Sequence, residues 1–180
     1  MALANGLIHY IGMNDMRLMR RVNRWRAPRW VRIASVWATR MGDGWLWYSL
    51  ALLILELGGD LRYRALATAS FAVVAGILLF MTVKRVSRRL RPCEREPHCW
   101  ATILPPDQFS FPSGHTITAF AIAISLGHLY PQIEPVLLLT AACIGASRVL
   151  LGMHFLSDVV AGALFGAGIG YGSFLLFAFF

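Results

Sequence analysis

The chain has 180 residues, of which 57% are hydrophobic and 14% charged, against the roughly 25% charged residues of a soluble domain. A mean hydropathy of +0.58 excludes a water-facing globule and predicts a multi-pass protein of the cell (inner) membrane, in which residues 1–180 form a single domain. The net charge is +8 and Lys84 is the single lysine among 17 basic residues; arginine forks suit phosphate or anionic lipid, while nucleic acid is a poor partner because the apolar runs leave no room for a reading domain.

Residues 1–43 read as a basic amphipathic segment. Its arginines follow the first apolar residues rather than precede them, and no small-residue cleavage site comes after, so it is not a cleavable signal. Over residues 15–26 a helical turn of 100° per residue gathers Arg17, Arg20, Arg21 and Arg24 on one arc and Leu18, Met19, Val22 and Trp25 opposite, as in a helix lying among lipid headgroups. Residues 30–41 are too short and too charged to cross a bilayer.

Gly42-Asp43-Gly44 predicts a turn, and five apolar segments follow, near 45–58, 65–83, 116–130, 133–151 and 155–180. Brief connections at 59–64 and 131–132 make neighbours antiparallel. The expected fold is an all-α membrane bundle of about five transmembrane helices plus an interfacial helix. Trp45, Trp47, Tyr48 and Trp100 stand where interfacial aromatics belong. The polar stretch from 84 to about 114, with Pro92, Pro97, Pro105, Pro106 and Pro112, is the longest loop and the expected active-site loop. In the last segment Gly162, Gly166 and Gly170 recur every fourth residue; such a stripe serves close helix packing inside the bundle or a homodimer contact. Cys143, in an apolar run, reads as inert core, and Cys93 and Cys99 share a loop in which they could pair. His98 beside Cys99 is too little for a metal site, so no metal and no cofactor are expected.

Three polar stretches end these apolar runs. In the first, Lys84, Arg88 and Arg91 would share one helical face, except that Pro92 pulls Arg91 toward the loop. In the second, Pro112-Ser113-Gly114-His115, Ser113 is a fair N-cap and Gly114 admits close backbone approach. The free N–H groups and helix dipole there favour an anion. In the third, Arg148 precedes His154 and Asp158, which are spaced so that a carboxylate could fix an imidazole tautomer and leave the other nitrogen free to attack. An ionisable pair at a membrane span is a functional hypothesis by default.

In order, residue type and internal spacing, these stretches resemble the signature of the type 2 phosphatidic acid phosphatase family, kin to the vanadium haloperoxidases. The resemblance implies His154 as a nucleophile forming a phosphohistidine, Asp158 as its orienting carboxylate and His115 as the acid that protonates the leaving oxygen. It implies Lys84, Arg91, Ser113, Gly114 and Arg148 as the phosphate-binding set, and metal-free chemistry. The expected activity is dephosphorylation of a membrane lipid phosphate or diphosphate of the phosphatidic acid, phosphatidylglycerophosphate or undecaprenyl diphosphate class. The alternatives are a lipid phosphotransferase using the same intermediate and a non-catalytic lipid-binding or transport protein. One departure is that an arginine-rich segment stands where the family has a full N-terminal span. The resemblance leans toward an outward, periplasmic site, whereas the arginine count would place the site in the cytoplasm if that segment does not cross.

Overall fold

The computed structural model describes residues 2–96 and 107–179. Pro97, His98, Cys99, Trp100, Pro105 and Pro106, and with them the Cys93–Cys99 pairing, lie outside the described residues. The helices are α1 (Ala2–Arg24), α2 (Arg29–Met41), α3 (Trp45–Leu57), α4 (Arg62–Ser87), the single turn α5 (Pro92–Arg95), α6 (Gly114–Leu129), α7 (Glu134–Leu150) and α8 (Leu156–Leu176), with a 3-10 turn at Gly59–Leu61. Among the described residues the only β pairing is one antiparallel bridge between Leu90 and Phe109.

The apolar runs became helices close to their expected limits, and local chemistry sets the ends. Helix α4 stops where Arg88 turns left-handed (φ 46°) and its N–H caps the Lys84 carbonyl. Pro131 follows the end of α6, and Pro135 sits in the first turn of α7, where its missing N–H costs nothing. The hydroxyl of Tyr130 donates to the Gly58 carbonyl at 2.9 Å, which pins the ends of α3 and α6 away from the site. Helices α3, α6 and α8 therefore leave the site end and α4 and α7 return to it.

Helix α6 is the central post, packed on α4, α7 and α8. Its Ala119, Ile122, Ala123 and Leu126 meet Ile54, Ala65, Ala141 and Ile144 in the core. The stripe on α8 lies against α6 of the same chain: a Cβ at Gly166 or Gly170 would collide with the carbonyl of Ile117 or Ala121, and one at Gly162 with that of Ser113. These glycines are used for packing within the bundle, and a second copy would have to dock on another face. Outward, Leu52, Leu57, Leu78, Leu139 and Leu164 are each more than half exposed. An apolar belt of that extent requires lipid as its solvent. Gly59–Ser87 and Leu156–Leu176 are long and apolar enough to cross a membrane, and Trp45–Leu57 and Gly114–Leu129 are shorter apolar helices. Cys143 is exposed on α7 rather than buried in the core.

Where one N-terminal amphipathic helix was expected there are two: the first extends back to Ala2, and residues 29–41 form another. Both sit at the site end. Asp15 of α1 accepts from the Ser157 N–H at 3.1 Å, Arg20 pairs with Glu96, and Thr39 of α2 meets Arg148. Arg17, Arg20, Arg21 and Arg24 are exposed as the wheel predicts, and Met19 is buried, but Trp25 falls beyond α1 and is exposed.

Candidate active site

The three motif stretches converge. Lys84, Arg91, Gly114, His115, Arg148 and His154 line one cavity of about 630 Å³. Two expected members stand behind its wall. The Ser113 hydroxyl is fully buried and accepts from the Thr116 hydroxyl at 2.9 Å, while its N–H donates to the Asp158 carbonyl. Ser113 holds the N-cap position of α6 but makes no side-chain cap bond. Asp158, also fully buried, lies in the first turn of α8.

Helical spacing placed Lys84, Arg88 and Arg91 together, but only Lys84 is on a helix. Beyond the Arg88 turn the chain is extended and bridged to Phe109, so its period is two. Arg89 and Arg91 therefore turn inward while Leu90 is exposed. Among the described residues Arg88 donates to the Arg85 carbonyl alone and is not part of the cavity lining.

His154 occupies the turn between α7 and α8, where Gly152 supplies a positive φ of 68°. Its Nδ1 lies 2.7 Å from the Ser110 carbonyl and its Nε2 3.1 Å from the Arg91 guanidinium. A carbonyl only accepts and a guanidinium only donates, so the ring carries its proton on Nδ1 and presents a lone pair on Nε2. Burial, then the charges of Arg148, Arg91 and Lys84, hold the His154 imidazole well below its ordinary range and keep it neutral. The tautomer expected for attack is present, but its holder differs. Asp158 Oδ2 is 3.8 Å from Nδ1, and this carboxylate instead accepts the Phe155 N–H at 2.8 Å and an Arg89 N–H at 2.6 Å.

His115 Nε2 stands 2.7 Å from Asp43 Oδ1. Gly42 makes this approach possible, since a Cβ there would lie 2.9 Å from the His115 ring. A doubly protonated ring could keep one N–H on Asp43 and release the other.

The cations are unequally satisfied. Asp107 bridges Lys84 Nζ at 2.8 Å and Arg91 at 2.9 Å. Burial opposes ionisation of Asp107, but the bonds and charges of Lys84 and Arg91 win and hold its carboxyl below the usual range. Arg91 also donates to the Met153 and Asp107 carbonyls. Arg148, 3% exposed, donates to the Thr39 hydroxyl at 2.6 Å, while its Nε has no hydrogen-bond partner among the described residues. Among the described residues no carboxylate forms an ion pair with it.

Below this polar mouth the cavity is apolar. Trp47, Leu50, Ala51 and Ile54 of α3 face Leu66, Ala69, Val73 and Ile77 of α4, with Ile122 and Leu126 of α6. From Lys84 to Leu66 the lining follows α4 for about 27 Å.

Motif reading missed Asp15, Thr39, Asp43, Arg89, Asp107 and Ser110. Two of them carried a signal: Asp15 lies four residues before Met19 on the inward face of α1, and Asp43 stands in a predicted turn. Ser110 acts through its backbone, which no side-chain pattern records.

Residues 63–180 match the family model of the PAP2 superfamily. A lipid A 1-phosphatase of Rhizobium johnstonii is 30% identical over 174 residues, covering 85% of this chain and 70% of the relative. A decaprenylphosphoryl-5-phosphoribose phosphatase of Mycobacterium tuberculosis is 35% identical over 124 residues, covering 69% and 67% respectively. The crystal structure of Aquifex aeolicus LpxE superposes with a TM-score of 0.74 at 29% identity, covering 87% of this chain and 92% of that one.

Proposed function

The chain belongs to the PAP2 superfamily, and from that premise we propose that it hydrolyses the phosphate of a membrane lipid through a phosphohistidine on His154. Arg148 carries this reading. A buried guanidinium without a counter-ion is costly, and an arriving phosphate offsets that cost. Arg148 lines the cavity in which Lys84 and Arg91 also stand.

His154 Nε2 attacks phosphorus, forming the N–P bond as the bond from phosphorus to the lipid oxygen breaks. His115, held by Asp43, gives its proton to that oxygen, and the lipid alcohol, or the monophosphate from a diphosphate, departs. Water then attacks the phosphohistidine, His115 takes its proton, the N–P bond breaks and inorganic phosphate leaves. Lys84, Arg91, Arg148 and the N-terminus of α6 at Gly114 stabilise the charge on the equatorial oxygens, which is most of what phosphoryl transfer asks of a protein. Ser113 and Asp158 contribute from behind, by joining α6 to α8 and by fixing the start of α8. The apolar lower cavity takes the lipid tail. This fits a single-phosphate lipid or a polyprenyl diphosphate, with the head at the membrane surface.

The reading includes five spans, α3, α4, α6, α7 and α8, with the site on the cytoplasmic face. Eight arginines precede α3, α1 and α2 lie at the site end, and the opposite end carries Arg62 and Arg64; the positive-inside rule then favours the cytoplasm. Labelling of Cys93 by an impermeant maleimide in intact cells, in a variant lacking the other two cysteines, would overturn this orientation.

Phosphate release from a panel of detergent-solubilised lipids, comprising phosphatidic acid, phosphatidylglycerophosphate and undecaprenyl diphosphate, tests the function with and without EDTA. Release is expected to persist in EDTA and to vanish in His154→Ala. An unreactive wild-type protein, or activity lost with the chelator, would sink the metal-free phosphatase.

A further inference from the structure

Helix α1 displays arginines outward, yet it buries a carboxylate. Asp15 is 6% exposed, and its Oδ1 accepts the Ser157 N–H at 3.1 Å. Its Oδ2 accepts the Ser157 hydroxyl and, at 2.6 Å, an N–H of Arg89. Arg89 spans two carboxylates. Its other terminal nitrogen donates to Asp158 at 2.6 Å and to the Ser157 hydroxyl at 2.7 Å, and the guanidinium stacks 4.4 Å from the Phe155 ring. Asp158 in turn holds the N–H of Phe155, the residue after His154. An unbroken set of charge-assisted bonds thus runs from the interfacial helix to the turn bearing the nucleophile.

We propose that Asp15 is a positioning residue for His154, acting through Arg89 and Asp158. This rests on the phosphatase reading above and extends it to a helix outside residues 63–180, the stretch that matches the superfamily. The physical reason is geometry. Arg89 crosses from an extended segment to the start of α8 and is held in place by an anion on each side. Without Asp15 one anchor is lost, and Asp158 can shift together with the turn at 151–155. In-line attack tolerates little displacement, since a misplacement of about 1 Å costs on the order of 10²-fold in rate. Among the described residues Asp15 neither lines the cavity nor hydrogen-bonds a group that does, so phosphate affinity is expected to stay intact.

The test compares wild type, Asp15→Asn, Arg89→Gln, their double variant and Ser157→Ala, using phosphate release from phosphatidic acid in detergent micelles together with thermal melting. Asp15→Asn should lower kcat by about tenfold or more with KM changed less than about twofold, the split expected when an interaction matters mainly in the transition state. In the Arg89→Gln background the same change should cost less than about twofold, because both substitutions break one path. Ser157→Ala should lower kcat in the same direction by a smaller factor, and it serves if Asp15→Asn does not fold. Losses that multiply in the double variant overturn the proposal. So does a lowered melting temperature with wild-type kcat in Asp15→Asn, or wild-type kcat in Ser157→Ala when Asp15→Asn does not fold. An inactive wild type defeats the phosphatase reading and this inference with it; an active wild type with multiplying losses defeats only the inference.

Discussion

The two ends of the chain handle charge in opposite ways. From the end of α4 onward the protein gathers cations and imidazoles around one cavity: Lys84, Arg91, Arg148, His115 and His154. The first 43 residues, although rich in arginine, send inward three groups that accept from cations or rings of the later segment. Asp15 meets Arg89, the Thr39 hydroxyl meets Arg148, and Asp43 meets His115. The reacting groups are thus concentrated where the motifs are, and much of what holds them comes from a segment with no motif. Chemistry constrains residue type tightly, whereas an orienting acceptor can arrive from any element that passes close enough.

That contrast can be broken or sharpened by substitution. The largest effect should come from His154→Ala, with a loss of at least about 10⁴-fold in phosphate release, since no other group supplies the attacking nitrogen. Retained turnover would transfer the role elsewhere. Arg148→Ala should cost roughly 10²–10³ in kcat/KM, the scale for removing one preorganised donor to transition-state charge; a change confined to KM would make it a binding group only. Asp43→Asn, on the N-terminal side of the comparison, should cost about 10–10² by loosening the acid. The effect should shrink for a lipid whose leaving oxygen needs no proton, and an equal loss on such a substrate would refute the orienting role. Thr39→Val should cost about tenfold, the lower end of what one hydrogen bond to a charged group is worth, read in kcat/KM at constant melting temperature.

The pH profile is the gentlest probe. Attack needs neutral His154, and burial with the charges of Arg148, Arg91 and Lys84 holds its pKa well below the ordinary value of 6.5. The acid limb of kcat/KM should therefore lie well below pH 6.5, and Arg148→Gln, by removing a neighbouring cation, should move it upward. A wild-type limb at or above 6.5 would contradict a buried, cation-flanked nucleophile.

The bundle and the convergence of the motif stretches were legible because apolar runs of membrane length and charged groups at their ends leave few arrangements. The glycine stripe was legible for the same reason: small residues every fourth position record a close crossing. Legibility failed where the backbone left the helix. Lys84, Arg88 and Arg91 were grouped by a period of 3.6, but the chain is extended after Arg88, and Arg89 replaces Arg88 as the inward residue. His154 and Asp158 were joined by a spacing of four that presumes a helix, yet His154 precedes α8 and the Ser110 carbonyl accepts its Nδ1–H. Asp107 follows a proline-rich stretch of sequence, and no periodicity announces a carboxylate that neutralises two cations at once.

The close crossing of α6 and α8 has a mechanical corollary. With the carbonyls of α6 seated on bare glycine Cα atoms and the N–H of Ser113 tied to Asp158, these two helices form a stiff rail that cannot part without breaking the site. On the other side the cavity is lined by α3 and α4, Ala51 and Ala69 among them, and a lipid arriving from the bilayer is expected to pass between those two helices. A disulfide engineered across that wall should trap the enzyme empty or loaded, and reduction should release it. With that rail fixed, the lateral doorway rather than the reaction centre is the part expected to flex at each turnover, which the disulfide tests.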